Sequence, residues 1–252
     1  MHSDDTRATR VKICGTTRLS DAELAVELGA WAVGMIFYDA SPRRCGLAEA
    51  ETIAAALRRK VQLCGVFVNE PLPRIAALAE QLQLAIVQLH GDEGPAFCAE
   101  VERRTGAKVC KAVQVSGPGD VRALERFHVD YHLVDGRGLA DQRGGTGRTF
   151  DWSLLRHRHS ARGAPTPLIL SGGLTVENAA AAIETVRPFA VDVASGVEQA
   201  PGLKDERKLR AFFAAARSTT VEAPRASTLQ ESPSEAGAGD DPGVSPSVEV
   251  SA

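Results

Sequence analysis

Two side chains near the start of the chain could act together on a proton. Lys12 and Cys14 lie two residues apart in the short apolar segment Arg10–Cys14. In an extended strand they share one face, while Val11 and Ile13 share the other. An ammonium group beside a thiol favours the thiolate, which can accept a proton. Cys14 is therefore a candidate proton acceptor.

The commoner role of an isolated cysteine is that of a small apolar core residue. This alternative stays open for Cys14, and we expect it to hold for the other cysteines, which are Cys45, Cys64, Cys98 and Cys110. No two cysteines form a Cys-x-x-Cys pair. The spacing therefore indicates neither a disulfide framework nor a zinc site.

Two aspartates belong to other apolar segments. If these segments are strands, Leu133 and Asp135 share one face, and so do Asp192 and Ala194. A carboxyl group in apolar surroundings has its charged form disfavoured, so a protonated Asp135 can serve as an acid. Asp192 should lie deeper in the same interior.

Glycine-rich turns end the last two apolar segments. Gly172 and Gly173 follow one of them, and Ser195 and Gly196 follow the other. Glycine lets the backbone approach a ligand closely, and a helix that follows offers free N–H groups to an anion. A further run contains Gly145 and Gly147. These turns predict a phosphate site and a phosphorylated small-molecule substrate, although each turn alone could be structural.

Two other ligand sites are poorly supported. The run up to Thr149 departs from a nucleotide-binding loop, because Arg148 replaces the required Lys and Gln142 replaces the first Gly. His157 and His159 have no cysteine or acid cluster nearby, so we expect no metal site.

Short aliphatic segments alternate with longer amphipathic ones. The predicted strands are Arg10–Cys14, Ala32–Ile36, Gln62–Val68, Ala85–Leu89, Lys108–Val113, Tyr131–Asp135, Leu168–Ser171 and Ala190–Ala194. The predicted helices are Ser20–Leu28, Leu47–Arg59, Leu72–Leu82, Pro95–Thr105, Val121–Phe127, Trp152–Arg156, Val176–Val186 and Glu206–Arg217. Ser20 and Glu23 fit a capping box, and Gly29 fits a helix end.

This alternation is typical of parallel βαβ units. Eight units predict an α/β fold, a single-domain (β/α)8 TIM barrel, with an open doubly wound sheet as the alternative. No Gly-x-Gly-x-x-Gly run follows the first strand, which favours the barrel. In a barrel the C-terminal strand ends form the site, and small or polar residues gather there. On the first predicted strand, Val11 and Ile13 should face the helices, which turns Lys12 and Cys14 into the barrel.

Composition limits the function classes. The 252 residues carry a net charge of −3, which argues against a nucleic-acid partner. No apolar run is long enough for a membrane helix, and the polar start resembles no secretory signal. We expect a soluble cytoplasmic protein, monomeric or homodimeric.

The two ends differ from the middle of the chain. Residues 218–252 are rich in Ser, Pro and Gly and hold one Arg against six acids. So little apolar surface cannot offset the entropy of ordering, which predicts a disordered tail. We therefore expect a flexible N-terminus over 1–9, a barrel over 10–217 and a tail over 218–252.

Taken from the residues alone, the site suits an isomerase, lyase or aldolase that acts on a sugar phosphate. The sequence also resembles the phosphoribosylanthranilate isomerase family. The motifs that carry the resemblance are Val11–Gly15, Ser41–Arg44, Gly65–Asn69, Val87–Gly91, Leu133–Asp135, Gly144–Trp152, Ser171–Leu174, Val191–Glu198 and Pro201–Asp205. They run in order through residues 10–217.

The resemblance implies an Amadori rearrangement of N-(5'-phosphoribosyl)anthranilate, without metal or organic cofactor. It implies that Cys14 is the general base and Asp135 the general acid. It also implies that Arg43 meets the anthranilate carboxylate, for which a guanidinium fork is suited. The remaining substrate-binding candidates are Gln88, His90 and Asp192.

Two departures and two alternatives remain. Arg148 and Ala194 replace residues more usual in the family, which could alter phosphate affinity. A related barrel enzyme, such as the histidine-pathway Amadori isomerase or indole-glycerol-phosphate synthase, is one alternative. The other is a catalytically silent barrel whose tail binds partners. The presence of both Cys14 and Asp135 argues against the silent barrel.

Overall fold

The fold is built on a closed barrel of eight parallel strands. The computed structural model describes residues 7–136, 151–155 and 166–221. Each strand pairs in parallel with the next, and the last returns to the first. The strands are β1 (Arg10–Ile13), β2 (Ala32–Ile36), β3 (Gln62–Phe67), β4 (Ile86–Leu89), β5 (Lys108–Val115), β6 (Tyr131–Gly136), β7 (Leu168–Leu170) and β8 (Ala190–Val193). The predicted barrel is confirmed, and the open doubly wound sheet is wrong.

Helices follow the strands around the outside of the barrel. They are α1 (Leu19–Glu27), α2 (Leu47–Leu57), α3 (Leu72–Leu82), α4 (Pro95–Thr105), α5 (Pro118–Ala123), α6 (Ala179–Val186) and α7 (Glu206–Arg217). Three of them, α3, α4 and α7, have the predicted bounds. Between β6 and β7 the described residues contain a 3₁₀ turn, Trp152–Leu155, where a helix was predicted over Trp152–Arg156.

The helix predicted over Val121–Phe127 begins earlier, at Pro118, and continues as a 3₁₀ turn, Leu124–Arg126. Pro118 occupies the first helical position, where its missing N–H is not needed. One Asp120 carboxylate oxygen accepts hydrogen bonds from the Ser116 and Gly117 N–H groups at 2.8 and 3.1 Å. The helix therefore begins at Pro118, three residues before the apolar pattern from which it was predicted.

The predicted capping box at Ser20 is wrong. Helix α1 begins at Leu19, and Arg18 in the N-cap position makes no side-chain cap. The Asp21 carboxylate accepts instead from the Arg18 guanidinium and from the Lys204 backbone N–H at 3.1 Å. The predicted role of Gly29 is confirmed, because α1 ends at Glu27, one residue before the predicted end, and Gly29 follows with φ of 87°.

Strand alternation divides the apolar residues into two clusters. Val11 and Ile13 belong to the larger cluster, which includes the buried helix faces. Cys14 belongs to a smaller cluster formed by inward-facing strand residues, among them Cys64 and Leu133. The predicted inward face of β1 is therefore confirmed.

Three aromatic rings gather where strands of the barrel begin. Trp31 and Phe189 immediately precede β2 and β8, and Tyr131 begins β6. Their ring centroids lie 5.3–5.4 Å apart, and the Arg10 guanidinium lies 4.3 Å above the Phe189 ring. These rings pack with the inward-facing strand residues at the N-terminal end of the barrel.

A short antiparallel pair joins the two ends of the described fold. Arg7–Ala8 pairs with Thr220–Val221, and Thr219 is 5% exposed. The chain divides into two compact units, Met1–Glu222 and Ala223–Ala252, and the second lies outside the described residues. Within the described ranges, none of the helices combines the length and apolarity needed to cross a membrane.

The strand pair indicates that the fold extends to Val221, beyond the end of α7 at Arg217. We expect a chain that ends at Val221 to keep the melting temperature of the full chain, because the residues beyond it lack apolar surface. A chain that ends at Arg217 loses the strand pair and Thr219. About 1 kcal/mol lost there would lower the melting temperature by roughly 2–4 °C. Calorimetry on the three chains tests this, and a large loss on removing only 222–252 would contradict it.

Candidate active site

A buried ion pair lies between the first and last strands of the barrel. Lys12 and Asp192 are register partners on β1 and β8, and the Lys12 Nζ–Asp192 Oδ1 distance is 2.7 Å. The Ser171 hydroxyl donates to the other Asp192 oxygen at 3.2 Å. Burial lowers the pKa of Lys12, but the Asp192 carboxylate and nearby thiols more than reverse this, so its pKa lies well above the ordinary value. Lys12 is therefore a fixed positive charge in the interior.

Cys14 lies at the end of β1, next to this pair. It is 6% exposed, and its backbone N–H donates to the Val193 carbonyl at 2.9 Å. An ideal Cβ atom built on Gly34 would lie 3.0 Å from the Cys14 sulfur and 3.2 Å from Lys12 Nζ. The glycine in β2 therefore leaves the space that the thiol and ammonium occupy.

The protonation of Cys14 differs from the sequence expectation. Burial raises the pKa of the Cys14 thiol; Lys12 and Lys204 lower it, and Asp192 raises it further. The net shift is upward. The expected thiolate is wrong for the resting protein, because desolvation and Asp192 outweigh the ammonium groups.

Asp135 lies near the end of β6, and it is 3% exposed. The His90 Nε2–Asp135 Oδ2 distance is 3.5 Å, and His90 Nδ1 lies 3.0 Å from the Gln88 amide nitrogen. An ideal Cβ on Gly172 would lie 2.6 Å from Asp135 Oδ1 and would clash with the Gly136 backbone nitrogen. The glycine turn after β7 therefore approaches the carboxyl group closely.

Arg43, in the loop after β2, is held by an acidic side chain. Its Nε lies 3.0 Å from both Glu198 carboxylate oxygens, and its Nη2 lies 2.9 Å from Glu198 Oε2. The Arg43 side chain also lies across Gly15, where a Cβ would be 2.8 Å from Arg43 Cδ. Gly15 has φ of 68°, which favours glycine. Arg43 is thus an oriented, half-buried cation, rather than a solvated loop charge.

Glu198 belongs to a wider buried network. Lys204 donates to Glu198 at 3.0 Å and to the carbonyl oxygens of Cys14 and Ala194 at 2.6 and 3.2 Å. Burial would raise the pKa of Glu198, but Arg43 and Lys204 lower it below the ordinary value. Sequence reasoning gave Glu198 and Lys204 no role. Their only signal in the sequence was that Glu198 ends one motif of the family resemblance and Lys204 belongs to the next. The structure pairs them in a short hairpin, Glu198–Ala200 with Leu203–Lys204.

Two of the three predicted glycine turns lie within the described residues. Gly172 and Gly173 have φ of 87° and 68°, and neither amide donates to another described residue. Ser195 begins a 3₁₀ turn, Ser195–Val197, and a Cβ on Gly196 would clash with the Leu174 carbonyl. The turns after β7 and β8 therefore lie against each other. Gly145 and Gly147 lie outside the described residues.

Asp192 and the other predicted binding residues occupy the same mouth, but Asp192 is already engaged by Lys12 and Ser171. Among the described residues, no three His, Cys, Asp or Glu side chains form a group that could hold a metal ion. The sequence expectation of no metal site stays a prediction.

A family model described as N-(5'phosphoribosyl)anthranilate (PRA) isomerase matches residues 11–215. The N-(5'-phosphoribosyl)anthranilate isomerase of Pelobacter propionicus is 44% identical over 216 residues, which is 86% of this chain and 99% of the relative. The matched residues of the family model end before Ser218, where the acidic segment begins.

Solved structures agree with the sequence match. The crystal structure of phosphoribosyl anthranilate isomerase from Thermotoga maritima is 44% identical with a TM-score of 0.74, and the match covers 83% of this chain and 99% of that one. Another holds the isomerase in complex with reduced 1-(o-carboxyphenylamino)-1-deoxyribulose 5-phosphate. It is 42% identical with a TM-score of 0.71, at 83% and 99% coverage.

The raised pKa of Cys14 is open to direct measurement. We expect the absorbance of its thiolate, taken as the difference between the wild type and Cys14→Ser, to develop only above the ordinary thiol pKa of about 8.5. The sign follows from burial, which penalises the charged form. A thiolate difference signal already complete at neutral pH would contradict this account.

Proposed function

The chain belongs to the N-(5'-phosphoribosyl)anthranilate isomerase family, and we propose that its barrel mouth carries out the rearrangement with Asp135 as general acid and Cys14 as general base. The chain is an isomerase of tryptophan biosynthesis. The substrate is N-(5'-phosphoribosyl)anthranilate and the product 1-(2-carboxyphenylamino)-1-deoxyribulose 5-phosphate.

One observation carries the assignment of acid and base. Cys14 and Asp135 both lie at the C-terminal end of the barrel, directly after β1 and near the end of β6, and both are buried. Counted through β7 and β8, these strands are three positions apart around the barrel. The two groups can therefore approach a bound sugar from different sides, as a reaction with separate protonation and deprotonation sites requires.

The proposed reaction has three steps. Protonated Asp135 gives its proton to the ring oxygen of the furanose; the C1–O bond breaks, and the nitrogen lone pair forms an iminium. The Cys14 thiolate then removes the proton from C2, and the C2–H electrons neutralise the iminium as an enolamine. Protonation at C1 with loss of the hydroxyl proton gives the ketone. The iminium accepts the electrons, so these steps need no cofactor.

The resting thiol has consequences for the base step. Because burial raises the pKa of Cys14, only a minor fraction carries the thiolate at neutral pH. Once the thiolate has formed, the higher pKa of its thiol means that it binds the abstracted proton more strongly. The adjacent Lys12 ammonium supplies a fixed positive charge that stabilises the thiolate when it forms.

The phosphate of the substrate fits the other part of the mouth. We assign it to the turns that contain Gly172, Gly173, Ser195 and Gly196, because the amides of the first two have no acceptor among the described residues. Loops after the seventh and eighth strands bind phosphate in many barrels of this type. We include Gly145 and Gly147 in the proposed phosphate site on the sequence alone. Asp192 remains a proposed contact to the sugar, and Gln88 and His90 are the other residues proposed at this mouth.

Replacing the acid and the base tests the assignment. We expect Cys14→Ser and Asp135→Asn each to lower kcat by ~10²-fold or more with little change in KM, because each group acts on the barrier. The decrease in substrate fluorescence measures turnover. Cys98→Ser is the matched control, since Cys98 is a buried thiol on α4, outside the barrel interior. Near-normal turnover in either site variant would contradict the assignment.

Arg43 should bind the anthranilate carboxylate rather than the phosphate. Glu198 occupies the edge formed by its Nε and Nη2, which leaves Nη1 for a substrate anion. Loss of a charged hydrogen bond costs about 1.5–3 kcal/mol, so Arg43→Ala should raise KM roughly 10- to 150-fold with kcat less affected. Steady-state kinetics and a product titration measure this.

The neighbouring Arg44 provides the control for that variant. Its side chain is 50% exposed and pairs with an exposed Asp39, so Arg44→Ala should leave KM near the wild-type value. Affinity of Arg43→Ala for inorganic phosphate should also be unchanged. Equal weakening of product and phosphate would mean that Arg43 supports the phosphate site or the loop instead.

A further inference from the structure

Gln88 and His90 form a connected pair of polar side chains at the end of β4. Gln88 is 1% exposed, and its amide nitrogen lies 3.0 Å from His90 Nδ1. On its other side, the Cys64 sulfur lies 3.9 Å from the Gln88 amide oxygen, and it is equally far from the Gly65 carbonyl oxygen. Burial raises the pKa of Cys64 to about 12, so this sulfur carries its proton.

The orientation of the Gln88 amide follows from these neighbours. A thiol is a weak donor and a weaker acceptor, whereas an imidazole nitrogen is a good acceptor. With the oxygen toward Cys64, the NH₂ group of Gln88 donates to His90 Nδ1. The reverse orientation would leave the NH₂ group with a sulfur acceptor only. Both orientations allow one good hydrogen bond to the ring, since an Nδ1–H group could donate to the amide oxygen. Only the observed one also gives the Cys64 S–H group its Gln88 oxygen acceptor and leaves the NH₂ group to donate to the ring.

This orientation decides which nitrogen of His90 carries the proton. If Nδ1 accepts from Gln88, the neutral ring bears its proton on Nε2. Nε2 is buried, and it makes no hydrogen bond of ordinary length in the part of the chain that the structure describes. It lies 3.5 Å from Asp135 Oδ2. The N–H of His90 is therefore available to the Asp135 carboxyl group.

We propose that His90 is a positioning residue for Asp135, with its Nε2–H tautomer fixed by Gln88. The Nε2–H group holds Oδ2, which leaves Oδ1 to carry the proton that Asp135 gives to the substrate. Gly172 keeps side-chain atoms away from Oδ1, because a Cβ there would lie 2.6 Å from it. This inference rests on the proposed acid role of Asp135, and it gives Gln88 and His90 a task other than substrate contact.

The proposed effect of His90 on the reaction follows from the change in charge of the Asp135 carboxyl group. Before proton transfer the Nε2–H group faces a neutral carboxyl group, and afterwards it faces a carboxylate. Hydrogen bonds to charged groups are about twice as strong as neutral ones. The interaction therefore strengthens as the acid step proceeds, which lowers the barrier and leaves substrate affinity almost unchanged.

A pair of amide variants separates this role from substrate binding. The amide of His90→Gln reaches the position of Nε2 and can still donate to Asp135, whereas that of His90→Asn reaches only the position of Nδ1. We expect His90→Asn to lower kcat by about tenfold with KM little changed, and His90→Gln to recover most of that loss. Equal kcat in the two variants, or an effect confined to KM, would overturn the proposal.

The tautomer is measured without any reference to activity. Nitrogen NMR of the wild type labelled with ¹⁵N-histidine, at about pH 8 where histidine rings are ordinarily neutral, should show the Nε2–H form for His90. The signal is assigned by its loss in His90→Asn, and in Gln88→Leu the ring should populate both tautomers. An Nδ1–H ring in the wild type overturns the proposal even if the protein is an active isomerase. The expected tautomer in a protein that does not convert phosphoribosylanthranilate overturns the proposed function instead.

Discussion

The pairing of the last strand with the first is the constraint on which the site depends. It sets Asp192 opposite Lys12 and brings both charges into the barrel interior at 2.7 Å. Two charges removed from water are tolerated only when they compensate each other closely, and loss of one leaves the other uncompensated. Lys204 adds a second tie, since it binds carbonyl oxygens at the ends of both strands, on Cys14 and Ala194. The candidate base is thus located at the point where the barrel closes.

Closure also explains why the thiol of Cys14 behaves differently from the sequence expectation. The neighbouring ammonium of Lys12 was visible in the sequence, and on its own it favours the thiolate. The full burial of the thiol and the pairing of that ammonium with Asp192 were not visible, and burial and the Asp192 charge both act in the opposite direction. The sign of a shift therefore depended on a contact between residues far apart in the chain. Local spacing correctly identified Lys12 and Cys14 as neighbours, but it could not show the net effect of their surroundings on the pKa of the thiol.

Alternation and element order were predictable, because they depend on local periodicity. The barrel, the inward face of β1 and the bounds of α3, α4 and α7 follow from the sequence in this way. The missed partners of the site residues depend on long-range polar contacts. In the sequence Glu198 is typical of a loop charge, whereas in the structure it pairs with Arg43 across the mouth. Asp21 is typical of a helix start, whereas its carboxylate accepts a hydrogen bond from the distant Lys204 backbone N–H. Two helix starts were missed for local reasons: α1 begins at Leu19, which places Ser20 inside the helix, and the signal for α5, Pro118 with Asp120, lies before its apolar pattern.

The mouth of the barrel is organised as pairs of side chains drawn from different strands and loops. Arg43 is held by Glu198, Asp135 faces His90, and Cys14 lies beside Lys12. Each partner is buried or half-buried, and it restricts the orientation of a group that must meet substrate. A group held in place before binding loses little further entropy in the complex, and its charge stabilises the transition state without reorganisation. The buried polar partners, which cost desolvation energy and add little to a hydrophobic core, are therefore best understood as the part of the fold that orients the reacting groups.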